Sequence, residues 1–207
     1  MRFIWPLPLY RFLSIIERLE LEKNILDCGA GGPQPPLGLF QEYGYETHGI
    51  DISKGAIKLS EEFAKKHNMK LNIVEGDMRE IPFDDESFSF VFSLNSLCHL
   101  TKRDTTRAIG EMMRVLKPEG HLLVDFMSTE SSYHGSPSLG KEVGVGEFQY
   151  IDDDGVAVLH SFHSEGEPEQ YFAGMKIIQT VKTITENLSG PSSTIDVRIE
   201  YYSTKQV

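Results

Sequence analysis

The chain has 207 residues, 40% of them hydrophobic and 25% charged, with a formal charge of −11 at neutral pH. That is enough chain for one ordinary globular domain with a real core. The acidity disfavours binding nucleic acid through a broad basic face, because phosphate contacts need clustered Lys and Arg.

Two cysteines, Cys28 and Cys98, form no spaced framework and point to a reducing, cytoplasmic setting. The run Phe3-Ile4-Trp5-Pro6-Leu7-Pro8-Leu9-Tyr10 is short, holds two prolines and meets Arg11 without a small-residue cleavage site. It is therefore not read as a signal peptide. No stretch approaches the roughly 18 uncharged apolar residues that span a bilayer, so no membrane partner is expected.

Residues 10–21 place Phe12, Ile15, Ile16 and Leu19 at helical spacing, with Arg and Glu between them, which predicts an amphipathic helix. Strand and helix signals then alternate. Strands are expected at 24–27, 47–51, 71–74, 89–93 and 121–126. Helices are expected at 36–43, from a Ser53 cap to about His67, and from Thr101 or Asp104 to about Leu116. Lys117-Pro118-Glu119-Gly120 reads as a turn. Strands alternating with helices argue for a parallel, doubly wound sheet.

After Phe126 the pattern changes. Residues 128–146, rich in Ser and Gly, read as a long loop. Residues 147–151 and 156–162 form a hairpin around Asp152-Asp153-Asp154-Gly155, and 168–173 suit a short helix. Two β-rich runs, 176–184 and 195–203, flank the turn cluster Ser189-Gly190-Pro191-Ser192 and pair as a closing antiparallel hairpin.

The chemistry concentrates at two strand ends. Ile25-Leu26-Asp27-Cys28-Gly29-Ala30-Gly31-Gly32 is an apolar run ending in an acid and closely spaced glycines, and Gly49-Ile50-Asp51 is a second apolar run ending in an acid. This is the outline of a nucleotide-type site at the carboxyl ends of parallel strands. A dinucleotide fingerprint starting at Gly29 needs a glycine at 34, where Gln34 stands. Asp27 would also repel a pyrophosphate, so a ligand with a cationic centre fits better than NAD.

Five pieces in order resemble the class I S-adenosylmethionine-dependent methyltransferases, in particular the ubiquinone/menaquinone-biosynthesis-type (methyltransferase type 11-like) family. They are Ile-Leu-Asp-Cys-Gly-Ala-Gly at 25–31, Gly-Ile-Asp-Ile-Ser at 49–53, Gly-Asp-Met at 76–78, Ile-Pro-Phe-Asp-Asp-Glu-Ser-Phe at 81–88 and Arg-Val-Leu-Lys-Pro-Glu-Gly at 114–120. The resemblance implies an α/β, Rossmann-like, mostly parallel seven-stranded sheet. Its final strand is antiparallel, and a small β-hairpin is inserted after the fifth strand. It implies one domain over 1–207: an N-terminal helix within 1–21, a cofactor core at 24–126, an insertion or lid at 128–172 and closing strands at 175–203.

The resemblance also implies residue roles, with S-adenosyl-L-methionine as cofactor. Asp27, Gly29, Ala30 and Gly31 would cradle its methionine part and ribose. Asp51 would take the ribose hydroxyls, with Ile52 against the adenine. Gly76, Asp77 and Met78 would hold the adenine edge, and Ser93 and Leu94 would lie near the sulfonium. His99 matches a histidine seen after the fourth strand and is the candidate general base, since imidazole titrates near neutrality.

No metal site is expected. His160 and His163, three apart on a strand, face opposite sides, and the 152–154 acids lack calcium-loop spacing. The expected activity is in-line methyl transfer to a small-molecule acceptor. A non-catalytic S-adenosylmethionine-binding regulator, or a methyltransferase acting on RNA or protein, stays open at this point.

Overall fold

In the computed structural model, which describes residues 3–188 and 194–206, the strand signals become one continuous sheet. The first five strands are β1 (Asn24–Cys28), β2 (Glu46–Asp51), β3 (Ile73–Glu75), β4 (Phe88–Ser93) and β5 (Leu116–Ser128). They lie in the order β3-β2-β1-β4-β5 and pair in parallel throughout. β1 and β4 are buried at every position, as strands covered on both faces must be. Past β5 the sheet continues through β10 (Thr194–Lys205), antiparallel to β5, to β9 (Met175–Asn187) at the edge. This seven-stranded path is the expected one.

The insertion differs from the expected hairpin. It contains a third strand, β6 (Lys141–Gly144), inside the stretch read as loop, beside β7 (Glu147–Ile151) and β8 (Ala157–His163). The last residues of β8 pair in parallel with Met127 and Ser128, so the meander grows out of the top of β5. Isolated glycines at 140 and 144 hid β6 in the sequence. Gly140 needs φ +74°, and both glycines press against β7.

Other boundaries moved for identifiable reasons. The first helix, α1 (Leu7–Ile16), starts and ends earlier than the 10–21 stretch, because Pro8 fits a first helical turn. β3 starts at Ile73, because Asn72 sits at φ +50° and its side-chain amide donates to Thr47 O. The 117–120 turn is absorbed into β5 as a register shift. Leu116 pairs with Phe88 but His121 pairs with Phe90, with Glu119 at φ +62°. Residues 167–172 form a 3-10 turn, and the 189–192 cluster lies outside the described residues.

Three more helices cover the sheet: α2 (Leu37–Glu42), α3 (Lys54–His67) and α4 (Lys102–Val115). Ser53 caps α3 by accepting from Ala56 N, and Thr101 caps α4 by accepting from Asp104 N. α4 buries Ala108, Ile109, Met112 and Val115 against Leu26, Val91, Leu122 and Val124. On the other face α1 packs Leu9, Phe12 and Ile16 on Phe40, Phe92 and Tyr202. Trp5 is buried against Phe63 and over Gly38, so the N-terminal segment is tied to α2 and α3. Among the described residues no helix is long and apolar enough to cross a membrane.

Candidate cofactor site

The carboxyl ends of β1, β2, β3 and β4 converge on one cleft of about 370 Å³. Its lining includes Gly29, Asp51, Ile52, Gly76, Asp77, Met78 and His99. A larger, shallower depression of about 760 Å³ opens near the N-terminal end of the strand segment at His121, around Leu19 and Thr204. It lies away from the carboxyl edge where α/β sheets bind ligands.

The chain leaves β1 through Gly29 at φ +98°, a conformation that favours glycine, and the N–H groups of Gly29 and Ala30 both donate to Ile50 O. A side chain at Gly29 would collide with Ser96 Oγ, 2.1 Å from an ideal Cβ. Gly31 then donates its N–H to Asp51 Oδ2 at 2.8 Å, while Asp51 Oδ1 accepts Ser53 N at 2.8 Å. One carboxylate thus fixes both the glycine turn and the start of α3, and it still lines the cleft.

Asp27 is fully buried, and its Oδ2 has no hydrogen-bond partner among the described residues. Burial, with Asp51 nearby, pushes its carboxyl well above the usual range. A buried charged acid without a partner is costly, and retaining the proton relieves that cost. Ile52 is 66% exposed at the lip, an apolar surface suited to a base.

Across the cleft, Arg79 grips Asp77 with its Nε and Nη2 (3.0 and 2.7 Å) and reaches Asp104 Oδ2 with Nη1 (3.1 Å). The guanidinium holds the Asp77 carboxyl below the usual carboxylate range. Met78 is half-buried against the core.

Ser93 and Leu94 do not line the cleft. The Ser93 hydroxyl is fully buried and donates to Cys28 O at 2.7 Å, clamping β4 to β1, while Leu94 packs on the α1 side of the sheet. Asp27, fully buried, and Ala30 and Gly31 likewise do not line the cleft. His99 is exposed, with Nδ1 3.1 Å from Leu159 O. A carbonyl only accepts, so the neutral ring carries its proton on Nδ1 and presents a bare Nε2.

Sequence reasoning missed Arg79, Ser96, Asp104 and Leu159. Arg79, two residues after Asp77, had a legible signal as a charge partner. Leu159 comes from the insertion and had none. His160 stacks on Tyr150 and His163 bonds Tyr171, and no metal-holding cluster occurs among the described residues. Both cysteines are buried; burial pushes the Cys98 thiol up to about 12.

A family profile described as a methyltransferase domain matches residues 26–124. A demethylmenaquinone methyltransferase from Listeria welshimeri is 34% identical over 113 residues, 51% of this chain and 45% of that protein. The phosphoethanolamine N-methyltransferase of Plasmodium falciparum is 29% identical over 120 residues, 56% of this chain and 45% of that protein. The chain thus spans less than half the length of these relatives. A solved S-adenosylmethionine-dependent methyltransferase from Methanosarcina mazei superposes with a TM-score of 0.74 at 23% identity, covering 94% of this chain and 97% of that one. The cofactor implied is S-adenosylmethionine, and the Gly29 turn and the Asp51 carboxylate lining the cleft fit it. Residues 26–124 thus match the methyltransferase-domain family, and the chain takes the fold of solved S-adenosylmethionine-dependent methyltransferases.

Proposed function

We propose that the chain methylates a small-molecule acceptor by in-line displacement, in a reducing cytoplasm. The observation that carries this reading is the convergence of Asp51, the Gly29 turn and Asp77 on a single cleft whose rim holds His99. S-adenosylmethionine, when bound, supplies a methyl group already activated on a sulfonium.

The residues' own work is then binding and alignment. Asp51, braced by Gly31 and Ser53, would hold the ribose hydroxyls, and Ile52 would cover one face of the base. Asp77, with Arg79 across it, would take the polar edge of the base, with Gly76 and Met78 beside it. Gly29 would meet the methionine part, with Asp27, Ala30 and Gly31 shaping the turn behind it and Ser93 and Leu94 bracing the neighbouring strand end. Where the acceptor atom must lose a proton, the bare Nε2 of His99 takes it. The meander, through Leu159, helps exclude water from the same cleft. We take residues 1–207 as one working unit, with 128–172 as the part that sees the acceptor.

The test is transfer of a labelled methyl group from S-adenosylmethionine to a panel of small amines, phenols, thiols and quinols. Asp51→Ala serves as a control and is expected to weaken cofactor binding about 10–100-fold. Transfer to RNA or protein but to no small molecule would overturn the acceptor class. Cofactor binding without transfer to any of these would favour a regulator.

A further inference from the structure

Asp77 and Arg79 share one tight turn. Gly76 N donates to Asp51 O as β3 ends, and Glu80 N donates back to Asp77 O at 2.9 Å, which closes residues 77–80. Inside the turn Asp77 Oδ1 accepts the backbone N–H of Arg79 at 2.9 Å, a turn-stabilising use of a short acidic side chain. The Arg79 side chain then folds back onto the same carboxylate. Its Nε lies 3.0 Å from Oδ1 and 3.1 Å from Oδ2, and its Nη2 lies 2.7 Å from Oδ2. A planar guanidinium matched to a carboxylate in this way fixes its orientation as well as its charge.

The guanidinium is held from a second side. Nη1 donates to Asp104 Oδ2 at 3.1 Å, and Asp104 stands in the first turn of α4, where its own N–H donates to Thr101 Oγ1 at 3.0 Å. Arg79 therefore bridges the loop after β3 to α4. Asp77, Arg79 and Asp104 are half-buried, and all three line the cofactor cleft. A carboxylate has about four acceptor positions. The two on Oδ1 are taken by Arg79 N and Nε, so Oδ2, with Nη2 as its one short contact, is the oxygen with room for a further donor. An ionised carboxylate only accepts, so the group it suits is an N–H and not a carbonyl or a ring-nitrogen lone pair. Holding that oxygen still before the ligand arrives removes an ordering cost from binding.

We propose that Arg79 is a positioning residue: by holding the Asp77 carboxylate in place, it makes the cleft select a base that carries a 6-amino group. The inference rests on the S-adenosylmethionine reading above and adds a residue that acts on the cofactor through Asp77.

The experiment is calorimetric titration of the full chain with S-adenosylhomocysteine, the demethylated product, and with its analogue in which hydrogen replaces the 6-amino group of the base. The two compounds differ only at the group assigned to Asp77. Native folding of each variant is checked by its melting transition. The wild-type chain should prefer the amino compound by about 10–100-fold, the range for a hydrogen bond to a charged group. Asp77→Ala, the reference, should bring that preference to within about threefold. Arg79→Met should lower it about three- to tenfold, by weakening the amino compound alone. Arg79→Lys keeps the charge without the paired N–H groups and should lower it about threefold, which decides the matter if the methionine variant does not fold.

A wild-type preference in natively folded Arg79 variants, or equal weakening of both compounds, would overturn the assignment. Equal weakening would mean that Arg79 touches the ring system the two compounds share, or only braces the loop. If Asp77→Ala loses the preference and the Arg79 variants keep it, only this inference fails. If the wild-type chain binds both compounds alike, the role of Asp77 fails and this inference with it. If it binds neither, the cofactor reading itself falls.

Discussion

Substituting Gly31 by alanine perturbs the site at the contact on which the ribose assignment depends. An ideal Cβ at Gly31 would stand 2.4 Å from Ala56 Cβ in the first turn of α3 and 2.6 Å from Asp51 Oδ2. Neither neighbour is a flexible chain end: one is helix, and the other is a carboxylate held by two backbone N–H groups. Either α3 withdraws or Asp51 turns away.

Overpacking of this kind costs about 1–3 kcal/mol. Loss of the charge-assisted bond from Gly31 N is in the same range, about 1.5–3 kcal/mol. For a chain of this size each kcal/mol moves Tm by about 2–4 °C, so Gly31→Ala should melt roughly 2–12 °C lower. Because the displaced carboxylate is the proposed ribose acceptor, affinity for S-adenosylmethionine should fall roughly 10–100-fold. Thermal unfolding followed by circular dichroism, with calorimetric titration, measures both. Gly110→Ala is the control: in mid-α4, with nothing within 4 Å of its Cβ, it should stabilise by about 0.5–1 kcal/mol and leave binding unchanged. A Gly31→Ala protein that melts and binds like wild type would refute the claim that the glycine turn positions Asp51.

Two further predictions concern stability. Glu200 is buried and accepts from Arg11 (2.5 Å), Tyr202 (2.7 Å) and Thr183 (2.7 Å), joining α1 to the two closing strands. Glu200→Ala should cost about 2–4 kcal/mol, at the lower side of a broken buried pair because Arg11 is partly exposed; a loss below about 0.5 kcal/mol in urea unfolding would show the network to be idle. Burial holds the His163 imidazole down from 6.5 to about 4. The unfolded chain therefore takes up the proton first, and stability present above pH 6.5 drains away as the pH falls to about 4. The loss approaches 3 kcal/mol, to the nearest order. His163→Gln should flatten that limb of the stability profile, and an unchanged limb would contradict the assignment.

The cofactor side of the molecule was legible because its signals are local. A strand of five residues, an acid, a tight glycine turn and a capped helix are all encoded within one short window, and Ser53 and Thr101 cap as their positions suggest. What was not legible depends on distant contacts. β6 exists because β7 offers it an edge, and its own four residues, Lys-Glu-Val-Gly, carry no strand pattern. The shift within β5 is imposed by its pairing with β4, so a Pro-Glu-Gly signal that ordinarily ends an element sits inside a strand. Arg79 and Asp104 meet across 25 positions of sequence, and Arg198 and Asp125 across 73. No window finds such pairs. Ser93 shows the opposite limit: its position at a strand end is legible, but the direction of its hydroxyl, into Cys28 O, is decided by the neighbouring strand.

The cleft at the carboxyl ends of the parallel strands is the proposed S-adenosylmethionine site. Titration calorimetry of the folded chain with S-adenosylmethionine, its demethylated product and NAD decides whether it binds the cofactor. Saturable one-to-one binding of the first two and none of NAD is expected, because Gln34 stands where the dinucleotide fingerprint needs a glycine. Binding of NAD, or no binding of either adenosyl compound to a protein with a native melting transition, would contradict it.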